Sequence, residues 1–161
     1  MSVRLRTGRR ACFLLASLVV LADQLSKAWA SDQLAGAGVR PFLPGLLEFT
    51  YTTNTGAAFS LFSGAAQALG AVSLAVALGV AVWIWRLGRA PQGLARCLAL
   101  GLLLGGALGN GIDRWRLGAV VDFLAFVPID FPVFNLADVA INLAVLCFLI
   151  DLLGPAAPSQ G

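Results

Sequence analysis

The sequence predicts an all-α membrane protein: one domain over residues 1–161, with four transmembrane helices and a small extracytoplasmic β-sheet. Three observations predict it. The chain is 59% hydrophobic and only 12% charged, whereas a soluble domain is about 45–50% apolar and about 25% charged. Four apolar stretches approach the roughly 20 residues that a helical span needs. Between the first two of them, one segment alternates apolar and polar residues with the period of a strand.

The first span covers about 11–30 and follows Arg4, Arg6, Arg9 and Arg10. Four arginines, an apolar run and Ala28-Trp29-Ala30 also have the form of a cleavable secretory signal. Asp23 and Lys27 just before that site, and three later spans, favour a retained anchoring helix. The loop over about 31–65 holds LLEFTYT, residues 46–52, where Leu47, Phe49 and Tyr51 alternate with Glu48, Thr50 and Thr52. This predicts a strand with one apolar face, turned toward lipid or a substrate. Asn54-Thr55-Gly56 supplies turn chemistry, and Ala57 to Phe62 is expected to return as the partner strand.

The second span, about 66–85, ends in Trp83-Ile84-Trp85-Arg86, an interface anchor. The third, about 95–112, carries Gly101, Gly105 and Gly109 along one face, which lets another helix approach closely. The segment 123–133 returns the chain to the membrane surface and has room for a short helix. The fourth span covers about 134–153, and the tail, about 154–161, is expected to be disordered. Seven of the basic residues (Arg4, Arg6, Arg9, Arg10, Arg86, Arg89, Arg96) fall on one side of the spans. Four (Lys27, Arg40, Arg114, Arg116) fall on the other. The bias places both termini in the cytoplasm.

A net charge of +3 gives no sign of a nucleic-acid partner. The three cysteines, Cys12, Cys97 and Cys147, lie inside apolar segments without metal-ligand spacing and read as small core residues. The chain has no histidine. Acid–base chemistry must therefore use carboxylates, lysine, tyrosine or cysteine, and neither a metal nor a cofactor is expected.

With this topology the polar residues gather at one membrane level. Asp23 and Lys27 are four apart on one helix face. Asn110, Asp113 and Arg114 close the outer end of the third span, where Asp113 and Arg114 also admit the plain reading of a solvated helix end. Asn135 is placed to cap the fourth helix. Asp138 lies too far inside the apolar stretch to be a cap. A carboxylate deep in a span costs about 2.5–3.5 kcal/mol, and such groups normally face the bundle interior and mark a site. Asp122 is its natural companion. Two acids in a partly dry pocket cannot both ionise easily, so one stays protonated while the other activates water, as in an aspartic protease.

Four blocks then carry a resemblance: DQLSK at 23–27, NTGAAFS at 54–60, GNGIDR at 109–114 followed by VVDF at 120–123, and FNLAD at 134–138 with Ile141. In this order they resemble the lipoprotein signal peptidases, or signal peptidase II, of bacteria. One departure is Ala144, where the family pattern has a glycine. Gly109-Asn110-Gly111-Ile112-Asp113 also approaches the Gly-x-Gly-Asp motif of another intramembrane aspartic protease class, but it is one residue too long. The resemblance implies a four-helix bundle with an outer β-cradle in the bacterial inner membrane. It implies an enzyme that cleaves the signal peptide from diacylglyceryl-modified prolipoproteins, just before the lipidated cysteine.

By the same resemblance Asp122 and Asp138 are the catalytic pair. Asn54, Gly56, Asn110, Arg114 and Asn135 support the pair or contact substrate, with Asp23, Lys27 and Asp113 behind them. The implied partners are the lipidated precursor, membrane lipid and globomycin-type peptide antibiotics. The apolar face of Leu47, Phe49 and Tyr51 is expected to cover the reacting groups. Two rival classes are a small proton-coupled carrier using intramembrane acids and a structural membrane subunit. A carrier needs polar residues through both leaflets, and here they cluster on one side.

Overall fold

The structure is a computed structural model, and it describes residues 6–56, 64–87 and 92–153. Among these, four helices are long and apolar enough to cross a membrane: α1 (Arg9–Gln33), α2 (Ala66–Arg86), α3 (Leu94–Leu117) and α4 (Leu136–Leu153). Five strands accompany them: β1 (Arg6–Thr7), β2 (Arg40–Leu43), β3 (Leu47–Asn54), β4 (Gln92–Gly93) and β5 (Val120–Phe126). The helices begin and end within a few residues of the predicted spans, apart from α3, which runs to Leu117. The expected tail at 154–161 and the expected strand at Ala57–Phe62 lie outside the described residues.

α3 is the central helix. Its apolar window is 61% buried, against 22%, 22% and 17% for α1, α2 and α4. The glycines explain how it accommodates its neighbours. A Cβ at Gly101 would lie 2.8 Å from the Cys12 carbonyl oxygen, and one at Gly105 would lie 2.6 Å from Val19 Cβ, so this stripe receives α1. Gly106 sits one position round the helix. There a Cβ would meet Ile141 at 2.6 Å and the Ala137 carbonyl at 2.7 Å, so that face receives α4. Small residues allow dispersion contacts between backbones, which hold helices together where lipid is as apolar as leucine. The predicted close approach is therefore present on two faces rather than one.

Below the sheet the core is apolar: Cys12, Ala77, Ile84, Leu100 and Leu104 pack together. The Cys12 thiol donates to the Cys97 sulfur at 2.8 Å, and both are buried, while Cys147 is half-buried. At this end Arg9 lies over the Trp85 ring, 4.4 Å from its centroid, Arg96 pairs with Asp151 at 2.9 Å, and β1 pairs with β4.

The other end carries a three-stranded antiparallel sheet in the order β2-β3-β5. β3 is its middle strand, so both of its edges are already taken, by β2 and by β5. The segment 123–133, which had room for a short surface helix, forms none. Residues 123–126 belong to β5 instead, and a bridge between Leu124 and Phe134 closes the following loop. β5 escapes an alternation test because Val120 to Leu124 are buried on both faces, which gives a continuous apolar run. Val121 and Phe123 pack against Ala30 of α1 and Leu34, the residue that follows it.

The apolar face of β3 does not cover the acids. Phe49 and Tyr51 pack on that same cluster, with Phe49 5.0 Å from the Trp29 ring and stacked on Phe42 at 4.5 Å. An amphipathic strand set above the helix ends finds its apolar partner in α1 before it can reach the cavity.

Candidate active site

Asp122 and Asp138 line one cavity of about 560 Å³ at the sheet end, together with Asn54, Asn110 and Arg114. Three local devices bring them there. Gly118 ends α3 in the left-handed conformation (φ 69°), with its N–H donating to the Arg114 carbonyl at 3.2 Å. That is the turn a helix C-terminus makes with least strain at glycine, and it feeds the chain directly into β5. Within β5 the alternate residues Val120, Asp122 and Phe126 face the cavity. The Leu124–Phe134 bridge, with N–H···O distances of 2.9 Å in both directions, then sets the start of α4 beside Asp122.

That bridge also corrects the reading of Asp138. Because Phe134 belongs to the bridge, α4 starts only at Leu136, so Asp138 lies in its first turn. The Asn135 side chain accepts from the Asp138 N–H at 3.0 Å, and Asp138 Oδ2 accepts from the Asn135 N–H at 3.2 Å. This is a reciprocal capping box, with aspartate where glutamate or glutamine is usual. The cap predicted at Asn135 is present, and Asp138 is its other half.

Asn135, fully buried, touches both acids. Its Nδ2 donates to Asp122 Oδ1 at 2.6 Å and to Asn110 Oδ1 at 3.2 Å. Asn110 in turn donates from Nδ2 to Asp138 Oδ1 at 2.8 Å and accepts from Lys27 Nζ at 2.9 Å. An ammonium only donates, so Lys27 fixes which way the Asn110 amide faces. Lys27 itself is buried and ion-paired with Asp23 at 2.9 Å and Asp113 at 3.0 Å. Asp113 is 2% exposed and not a solvated helix end, because α3 extends beyond it.

Both partner acids of Lys27 also hold backbone: Asp23 accepts from the Ala137 N–H of α4, and Asp113 from the Val121 N–H of β5. The ion cluster thus ties together the two elements that carry Asp138 and Asp122.

Asp122 is only 4% exposed. Burial first, and then the charge of Asp138, push its carboxyl from an ordinary value of 3.8 up to about 7. Hydrogen bonds from Asn135 and Asn54 and the charge of Lys27 act in the opposite direction without cancelling the rise. Arg114 Nη2 donates to the Gly56 carbonyl at 3.2 Å, and its Nε is buried without a partner among the described residues. Asn54 Oδ1 accepts from the Gly56 N–H at 2.9 Å, which closes that turn.

All ten predicted residues therefore fall into one connected group at the sheet end. Sequence reasoning missed Gln24, whose Nε2 donates to Asp23, the Gly109 carbonyl and Asp113 at 3.0–3.2 Å. It lies inside the DQLSK block, one residue from Asp23, and that adjacency was its only signal. It also missed the aromatic lining of Phe126, Phe131 and Phe134. Among the described residues no group of three or more His, Cys, Asp or Glu converges to hold a metal ion.

Residues 15–154 match the model of the Signal peptidase (SPase) II family. The chain is 58% identical over 147 residues to the lipoprotein signal peptidase of Parasynechococcus marenigrum, a match covering 89% of this chain and 90% of that one. It is 46% identical over 159 residues to the lipoprotein signal peptidase of Trichormus variabilis, covering 97% and 98%. Its fold is similar to a bacterial membrane enzyme solved by the in meso method at 1.9 Å resolution, with a TM-score of 0.80, 29% identity, and coverage of 96% and 100%. The chain is a member of the signal peptidase II family, the membrane proteases named lipoprotein signal peptidases.

Proposed function

We propose that this protein is an aspartic endopeptidase that removes the signal peptide from diacylglyceryl-modified prolipoproteins, cutting just before the lipidated cysteine. The observation that carries the reading is the joint placement of Asp122 and Asp138 on one cavity, bridged by Asn135. The supporting cluster of Asp23, Lys27, Asn110, Asp113 and Arg114 adds to it.

The two acids have separable roles. Asp122, buried and raised to about 7, is the acid that holds the proton. Asp138, held by N–H donors from Asn110 and Asn135, is left as the base. Water between them attacks the scissile carbonyl carbon. Asp138 takes a proton from that water while Asp122 gives its own to the carbonyl oxygen. The tetrahedral diol then collapses. The leaving cysteine nitrogen receives the proton from Asp138, and a diol hydroxyl returns one to Asp122, so the pair is restored.

Arg114 lines the cavity, and its guanidinium supplies donors for the unwound substrate backbone. The apolar lining on α4, including Val139, Leu143 and Leu146, suits the lipid chains and the signal helix. The same cavity is the expected site for globomycin-type cyclic peptides. The arginine-rich end lies in the cytoplasm with both termini, and the cavity opens near the outer face of the bacterial inner membrane.

The test uses the purified full chain with a diacylglyceryl-modified precursor and the same precursor without lipid. The reading requires release of the signal peptide from the lipidated precursor, with the new N-terminus at the modified cysteine. No release from that precursor, or a cut elsewhere in the sequence, overturns it.

A further inference from the structure

On the face of α3 away from Asp122 and Asp138, α1 and α2 diverge and leave an apolar groove of about 610 Å³. Val20 and Leu21 of α1, Leu78 and Ala81 of α2, and Leu104 of α3 are among its walls. A volume of this order lies within the range of about 300–1,000 Å³ typical of ligand sites. A smaller hollow of about 340 Å³ adjoins it, sharing Leu74 and Leu108 and reaching Trp115 and Arg116 at the sheet end. The groove belongs to neither the acid pair nor its aromatic lining.

Its upper end is polar in a specific way. The three bonds from Gln24 Nε2 to Asp23, Gly109 and Asp113 fix that amide, so Oε1 faces outward and accepts from Arg116 Nη1 at 3.3 Å. Arg116 is exposed, and no carboxylate among the described residues lies in ion-pair range of it. Its charge is held by a neutral acceptor and left uncompensated. Beside it Trp115 is 60% exposed, as suits a tryptophan at headgroup level.

We propose that this groove binds one acyl chain of an anionic phosphoglycerolipid, whose phosphate is held by Arg116. Three things select that occupant. The groove opens between three membrane-spanning helices, its walls are apolar along the helix axis, and a guanidinium fork that matches phosphate, engaged by a neutral amide and by no carboxylate among the described residues, stands at the headgroup end.

The full chain is reconstituted in phosphatidylcholine vesicles containing a trace of phosphatidylglycerol with a diazirine in one acyl chain. After illumination, labelled residues are mapped by mass spectrometry. The proposal expects labelling at Leu78 and Val20 about fivefold above that at the lipid-facing Val145 and Leu149 of α4, the scale of one arginine acting on an anionic lipid. Arg116→Gln and the groove-filling Ala81→Phe each bring the groove down to the α4 level while α4 labelling stays constant, which also reports that the variants are inserted. A phosphatidylcholine-borne diazirine labels the groove no more than α4. Equal labelling of groove and α4 in the native chain, groove labelling unchanged by Arg116→Gln, or protection of the groove by a second copy of the chain overturns it.

Discussion

Asn135 is where the two acids meet, and its neighbours decide how each behaves. Asp122 is raised to about 7 because it is buried and faces a second carboxyl. The pH consequence has a definite sign. A folded value above the ordinary 3.8 means that the folded state binds a proton which the unfolded chain gives up. The neutral form's stability is fully present below about pH 4 and is lost as pH rises through about 7. Asp122→Asn removes the charge and keeps the shape. Thermal unfolding followed by circular dichroism should therefore show this variant equal to the native chain at pH 4. At pH 8 it should melt higher, by on the order of a few degrees. A difference that does not change with pH would remove the buried proton from the account. Cleavage should likewise decline above neutral pH as Asp122 deprotonates, which a pH–rate profile reads.

Lys27 makes a second residue-scale prediction. It is the sole described cation between the buried acids Asp23 and Asp113. Lys27→Met leaves both without a counter-ion, a loss of about 3–5 kcal/mol for a broken buried pair, which should appear as a sharply lowered melting temperature in detergent. The i, i+4 spacing made the Asp23–Lys27 pair legible in the sequence. Asp113 and Gln24 were not legible as its partners, because only the packing of α1 on α3 brings them there.

At the scale of elements, the glycines of α3 set the helix spacing. A Cβ at Gly109 would lie 2.5 Å from Asp23 Oδ2, and one at Gly105 would lie 2.9 Å from the Ala16 carbonyl. Gly105→Ala and Gly109→Ala should each cost about 1–3 kcal/mol through overpacking. Gly79, with nothing within 4 Å, should be neutral or gain about 0.5–1 kcal/mol on Gly79→Ala. Parallel melting curves of the three variants check the contrast. The spans and the glycine stripe were legible because each is a local pattern along one helix. β5 and the late start of α4 were not. A strand buried on both faces looks like any apolar run, and the bridge that takes Phe134 is made by residues ten apart. The fate of the β3 apolar face depended on a partner, Trp29, that periodicity cannot name.

At the scale of the whole molecule, the fold divides labour between two ends. One end joins β1 to β4 and stacks Arg9 on Trp85, in a bundle whose lower half is apolar. The other gathers every polar side chain of the site beneath a three-stranded sheet. The described residues of the four sequence blocks come from α1, the turn after β3, α3, β5 and the start of α4, and the fold brings them to one level. Their order was readable, whereas their connection through Asn135 and Lys27 was not, since hydrogen bonds between elements leave no trace in spacing. The central claim is that both acids act on one peptide bond. The most direct measurement is the rate of signal-peptide release from a diacylglyceryl-modified precursor by Asp122→Asn and Asp138→Asn, each at normal membrane levels. The account predicts that both fall by about 10³-fold or more, since general acid–base groups contribute about 10²–10⁴. A rate within about tenfold of the native chain for either variant, below the range expected for such groups, would contradict it.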